Sequence, residues 1–161
     1  NYDAPRLAEA LTVSAIKHLP SYVSLQPEYN LYDRGGFETA LEPLCLEHQI
    51  GVISYYSLAS GFLTGKYRSE ADLRKSVRGG GIGKKYLNDR GFQILAALDA
   101  IAAAHQIAPA AIALAWLIQR DSVTAPIASA TSVQQWSELS KAAELTLTPS
   151  QVAALDQASA P

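Results

Sequence analysis

Between residues 51 and 67 the chain reads GVISYYSLASGFLTGKY, a β-branched and aromatic run that gives way to small residues and closes on Lys66 and Tyr67. Val52, Ile53, Tyr55 and Tyr56 have the bias of a strand. Ser57, Ala59, Ser60, Gly61 and Gly65 then leave little side-chain bulk around the backbone amides. Accessible amides beside one lysine charge suit a phosphate-bearing ligand. The same pattern also occurs in strand-to-helix connections that bind nothing, so by itself it leaves both readings open.

Other chemistries find less support. No cysteine, histidine and carboxylate cluster has metal-ligand spacing, and no Gly-x-Ser-x-Gly elbow is present. Cys45 is the lone cysteine, placed on an apolar stretch without a histidine at suggestive spacing, and reads as an inert core thiol. His18, His48 and His105 each stand where a helix should end, so their expected role is structural.

The elements that must position the 51–67 loop alternate between helix and strand. Asp3 caps a helix over 4–17, with Pro5 in its first turn and His18 and Pro20 closing it. A short strand is predicted over 22–26, a helix over 37–48 and a strand over 52–56. Gly79, Gly80 and Gly81 read as a flexible hinge. Helices over 90–105 and 109–119 follow, then a strand over 123–128 and a helix over 133–143. Thr148, Pro149 and Gln151 mark the start of the last helix as cap, first position and capping-box partner. This order predicts parallel strands joined by helical crossovers. Three strands are few for such a sheet, which is then either a small doubly wound sheet or a piece of a larger barrel.

Composition bounds the function classes. The chain has 161 residues, 48% of them hydrophobic and 17% charged, with a formal net charge of −2. That is a globular composition without the positive footprint of a nucleic-acid binder. Its longest apolar run, 112–118, falls far short of the roughly 20 residues of a membrane span. No signal peptide is visible, and a single cysteine fits a cytoplasmic location. Methionine is absent, even at position 1, so the sequence reads as a processed chain or a fragment.

Four motifs carry a family resemblance. Gln26-Pro27-Glu28-Tyr29-Asn30-Leu31 with Arg34 resembles the strand-six motif of the aldo-keto reductases, and 55–67 is similar to their strand-seven pattern Y-S-P-L-A-x-G-x-L-T-G-K-Y. Ala113-Leu114-Ala115-Trp116-Leu117 and Pro126-Ile127-Ala128-Ser129-Ala130-Thr131, with Gln135 and Glu138 behind it, resemble the family's later helix and its strand-eight cofactor motif. The order matches, and Asn1 fits the asparagine that ends strand five. The resemblance implies that residues 1–161 form the C-terminal half of a (β/α)8 TIM barrel, running from the end of strand five to the C-terminal helix.

What the resemblance implies for function is specific. NADP(H) would lie across the C-terminal mouth of the barrel. Asn1 and Gln26 would hydrogen-bond the nicotinamide carboxamide and Tyr55 would stack on its ring. Tyr56, Leu58, Ser60, Gly65 and Lys66 would line the pyrophosphate, with Arg78 reaching the phosphates as the loop closes. Thr131 would meet the adenosine 2′-phosphate, and Gln135 and Glu138 the adenosine. The expected activity is reduction of aldehyde or ketone carbonyls, with a small carbonyl compound as substrate. The family's proton-donating tyrosine and its partners belong to the first half of the barrel, so no catalytic residue is assigned here.

Two departures stand out: Tyr-Ser-Pro-Leu becomes Tyr55-Tyr56-Ser57-Leu58, and the glycine and asparagine common near strand eight are Ser129 and Leu139. Trp116 is expected in the core and Trp136 packed between its helix and the barrel. Besides a reductase completed by its N-terminal half, two other readings stand: a cofactor-sensing regulatory subunit resembling potassium-channel β-subunits, and a truncated chain inactive alone or folded only as an oligomer.

Overall fold

A parallel sheet sits at the centre of the computed structural model, which describes residues 2–75 and 79–161. Its strands β1 (Ser24–Leu25), β2 (Gly51–Ser54) and β3 (Val123–Pro126) lie side by side in chain order. Ser24 pairs with Gly51, and Val52 with Val123, before a bulge brings Ile53 opposite Ala125. Helices cross between the strands, as parallel pairing requires. This is the α/β arrangement expected of part of a barrel.

Between β1 and β2 lie α2 (Gly35–Glu38) and α3 (Leu41–Glu47), after the opening helix α1 (Ala4–Lys17). The expected single helix over 37–48 is two helices. Pro43 has no N–H to give Thr39, and its ring crowds the carbonyl four residues back, so a helix can begin near Leu41 but not run through it. α1 follows its sequence signals closely: Asp3 caps Arg6 N at 2.9 Å, and His18 closes the helix in the left-handed region at φ 52.

β2 leads into 3-10 turns over Ala59–Thr64 and Glu70–Lys75, then α4 (Gly79–Tyr86) and α5 (Asp89–His105). The glycines at 79–81 open a helix instead of forming a hinge. Small size serves packing at Gly79 and Gly83, where an added Cβ would collide with the Leu73 carbonyl and with Leu73 Cδ1 respectively, whereas Gly80 and Gly81 face open space. Phe62 and Tyr86 stack in this contact, with ring centres 5.2 Å apart.

α6 (Pro109–Ile118) precedes β3, and α7 (Val133–Ser140) and α8 (Pro149–Ala158) follow it. Ala110 to Leu117 are all buried, because α6 is enclosed by α5, the 59–64 turn, β3 and α7. α8 starts on the predicted capping box, Thr148 and Gln151 each bonding the other's backbone N–H. Trp136 does not pack inward. It is 65% exposed, and Leu139 is the α7 residue that meets the core.

Trp116 is fully buried, and its indole N–H donates to Asp156 Oδ1 at 3.0 Å. The Arg34 and Arg120 guanidinium groups lie 5.4 and 5.2 Å from its ring centre. Arg34 pairs with Glu38 at 2.8 Å and Asp156 at 3.3 Å, and Tyr29 donates to Glu38 at 2.6 Å. Burial alone would push the Glu38 pKa up. Hydrogen bonds from Arg34 and Tyr29, with the Arg34 and Arg120 charges, outweigh it and hold the carboxyl below its ordinary range.

A carboxylate depressed in the folded state adds stability above its unfolded pKa and loses it as pH falls through the folded value. Glu38→Gln should therefore lower the unfolding free energy obtained from urea denaturation at neutral pH by about 1–3 kcal/mol, for charged partners left unmatched. Below about pH 4 the variant should lose less further stability than the unaltered chain. Parallel acid-side curves for the two proteins would contradict this assignment.

Candidate functional site

The C-terminal ends of β1 and β2 bring the first predicted site residues together. Gln26 follows β1, Tyr55 follows β2, and the backbone continues the pairing there: Tyr55 N donates to Pro27 O at 2.9 Å and Tyr29 N to Tyr55 O at 3.4 Å. Gln26 and Tyr55, with Tyr2, Glu28 and Leu41, line one cleft of about 340 Å³. Gln26 is exposed and Tyr55 half-buried, so an amide with both a donor and an acceptor stands beside an aromatic face. Asn1 and Arg78 lie outside the described residues.

Beyond Tyr55 the backbone turns sharply. Tyr56, Ala59 and Ser60 adopt φ values of 52, 49 and 57°, and Gly61 and Gly65 values of 95 and 78°. These left-handed residues coil the chain into a short arc. Short bonds hold the arc: Ala59 N to Tyr56 O at 2.7 Å, Gly61 N to Leu58 O at 2.8 Å and Gly65 N to Phe62 O at 3.0 Å. The Tyr56 ring is exposed and meets Tyr55 edge-on at 5.3 Å, while Leu58 packs against the core.

Lys66 folds back over this arc. Its Nζ lies 5.0 Å from the centre of the Tyr67 ring, and a Cβ on Gly61 would sit 3.6 Å from it. Arg68 secures the far side, donating to Gly65 O at 2.7 Å and to both oxygens of Asp99 on α5 at 2.7 Å. A positive charge folded over a loop of small residues suits a pyrophosphate's charge and size.

The third group of predicted residues lies at the end of β3. Thr131 donates through its backbone N at 2.8 Å and its hydroxyl at 3.0 Å to Gln135 Oε1, and Ser132 caps α7 by accepting from Gln135 N at 3.2 Å. Thr131 thus stands at the positive end of an eight-residue helix. Glu138 is paired with Lys141 at 2.9 Å, and Leu139 turns to the core. No described contact joins this group to the Gln26 and Tyr55 cleft.

Sequence reading missed the group beneath the cleft. Lys85 bridges Glu28 at 3.2 Å and Asp33 at 2.8 Å, and Tyr86 donates to Asp33 Oδ2 at 3.2 Å. Burial works against the Lys85 charge, but its Asp33 hydrogen bond and the other partners raise its pKa above the ordinary amine range. Burial, then the Asp33 charge, pushes the Tyr86 phenol up to about 12. These groups buttress the segment after β1. No local signal in the sequence pairs residues more than 50 positions apart.

Among the described residues no group of three metal-ligating side chains occurs, and no single helix is long and apolar enough to cross a membrane. Cys45 is buried, and burial followed by the nearby Glu42 charge raises its thiol pKa. A thiol-reactive dye should label the folded chain far more slowly than the urea-unfolded one. Equal rates would place Cys45 at an accessible, reactive position.

A model of the Aldo/keto reductase family matches residues 1–160. The chain is 31% identical over 148 residues to a probable voltage-gated potassium channel subunit beta of Arabidopsis thaliana, covering 89% of this chain and 45% of that protein. It is 31% identical over 138 residues to L-glyceraldehyde 3-phosphate reductase of Escherichia coli (strain K12), covering 82% and 40%. Against probable aldo-keto reductase 1 of Glycine max it is 30% identical over 112 residues, covering 69% and 32%. The chain spans less than half the length of each of these relatives.

Proposed function

The chain belongs to the aldo/keto reductase family, and from that premise we propose that it carries the NADP(H)-binding half of a barrel that reduces aldehyde or ketone carbonyls. The observation that carries this reading is the single cleft that Gln26 and Tyr55 line at the ends of neighbouring parallel strands. Ligands of barrel enzymes gather at that face. The residues present fit the cofactor, since the amide, the ring, the loop of small residues and the lysine follow one another along the strand ends.

Bound NADPH would supply hydride to the carbonyl carbon. Gln26, with Asn1, would hold the carboxamide, and Tyr55 would fix which face of the ring points at the substrate. Tyr56, Leu58, Ser60 and Gly65 would offer backbone to the pyrophosphate and Lys66 its charge, with Arg78 closing over them. Thr131 and the α7 N-terminus favour a 2′-phosphate, and Gln135 keeps its amide nitrogen for the adenosine. Glu138 would reach the adenosine only by sharing the Lys141 charge.

The general acid would come from the other half of the barrel, which would cover both open edges of the sheet. Val23 beside β1 is 79% exposed and Ile127 beyond β3 is 42% exposed, a surface that fits this partner. In this reading the protein is cytoplasmic and this chain is inactive alone. Similarity to the plant channel-subunit relative favours a second reading, in which the cofactor is bound and sensed without rapid turnover. The tyrosine, lysine, aspartate and histidine set in the rest of the barrel separates the two, since turnover needs it intact.

Fluorescence titration should show NADPH binding to the chain, and Tyr55→Ala should weaken it about three- to tenfold through loss of the ring contact. The chain alone should oxidise no NADPH in the presence of a reactive aromatic aldehyde. Saturable binding that ignores Tyr55→Ala would remove the stacking role, and turnover by the chain alone would show that its proton donor lies within these 161 residues.

A further inference from the structure

The exit from β2 is held by a side chain from a different segment. Asn30, between β1 and α2, is fully buried. Its Nδ2 donates to Tyr56 O at 3.0 Å and Asp33 Oδ2 at 3.2 Å, and its Oδ1 accepts from Tyr32 N at 2.8 Å and Asp33 N at 2.9 Å. All four hydrogen-bonding positions of the amide are used. It therefore has one orientation, and the Tyr56 carbonyl is tied to it.

Tyr56 lies at φ 52°, a conformation that bulky residues keep only where their surroundings hold them. With its carbonyl fixed toward Asn30, the planar trans peptide turns the Ser57 N–H to the opposite side. Ser57 is buried too, and its hydroxyl donates to Ser54 O at 3.1 Å. A proline at position 57, as in the Tyr-Ser-Pro-Leu form, would carry no N–H and would press Tyr56 toward extended backbone. Serine at 57 permits a loop exit held by hydrogen bonds in place of a ring.

We propose that Asn30 is a positioning residue for the cofactor, coupling the segment that carries Gln26 to the arc that follows Tyr55. Backbone bonds join the two segments at Tyr55, and Asn30 adds a tie one residue further on, at the start of the arc. This role rests on the NADP(H) reading. Asn30 touches no ligand itself, so its effect is on how well one molecule satisfies both segments at once.

Asn30→Asp keeps the shape and the acceptor but removes the donors to Tyr56 O and Asp33 Oδ2 and sets a carboxyl group beside Asp33. Without ligand, hydrogen exchange of the 57–65 amides should quicken about tenfold while α5 and α6 keep their protection. NADPH should bind about tenfold more weakly. Adenosine 2′,5′-bisphosphate, which lacks the nicotinamide end and does not span the two segments, should bind within about twofold of the unaltered chain.

Faster exchange throughout, with both ligands weakened alike, would show a general structural role and overturn the proposal. Ser57→Pro provides a second route if Asn30→Asp does not fold. It should weaken NADPH in the same selective way, and binding as tight as the unaltered chain's would also overturn the proposal. If the unaltered chain binds neither ligand, the cofactor reading falls and this role falls with it. If it binds NADPH and Asn30→Asp binds equally well, only the role of Asn30 falls.

Discussion

Two arginines, two carboxylates and one indole hold the helices in the positions on which the strand ends depend. Arg34 stands just before α2, Glu38 ends it, Trp116 lies in α6, Arg120 follows α6 and Asp156 belongs to α8. Charges this far out of water are tolerated only with partners, and removing any member strands another. The requirement for mutual satisfaction therefore fixes three separate segments against each other. The 26–34 segment is suspended between β1 at one end and this cluster at the other, so the Gln26 side of the cleft takes its position from both.

The loop after β2 solves a related problem locally. Its backbone enters the left-handed region at three residues with side chains, each a conformation with a cost. Short bonds within the loop, the Ser57 hydroxyl and the Asn30 amide meet that cost. Each of the backbone bonds uses one N–H and one carbonyl: Ala59, Gly61, Leu63 and Gly65 give their amides to carbonyls within the loop.

Elements with endpoints set by local chemistry were legible in the sequence. The caps at Asp3 and Thr148 and the prolines at 5, 109 and 149 start α1, α8 and α6 where expected, and parallel strand order followed from the alternation of elements. Features set by distant packing were not legible. β1 is shorter than the strand predicted over 22–26 because its pairing with β2 is confined to Ser24 and Leu25. The 79–81 glycines read as a hinge because nothing nearby reveals Leu73 packed against Gly79. Trp136 is exposed because Leu139 takes the inward place on α7. Of the site, the residues that would touch ligand were readable through the family motif, whereas Asn30 and Lys85 act through partners distant in sequence.

The sheet itself shows why a partner matters to this reading. β2 is paired on both sides, but β1 and β3 each present one unpaired edge, flanked by exposed Tyr22, Val23 and Ile127. Parallel sheets occur almost only with their strands covered, because unpaired backbone and apolar side chains at an edge favour any pairing that buries them. The cleft between Gln26 and Tyr55 lies beside β1, an open edge, whereas the 59–64 turn packs against α6 and α4. A chain without its complement would therefore keep the phosphate arc better ordered than the nicotinamide cleft. In a closed barrel the covering of β1 would bring the two into one site.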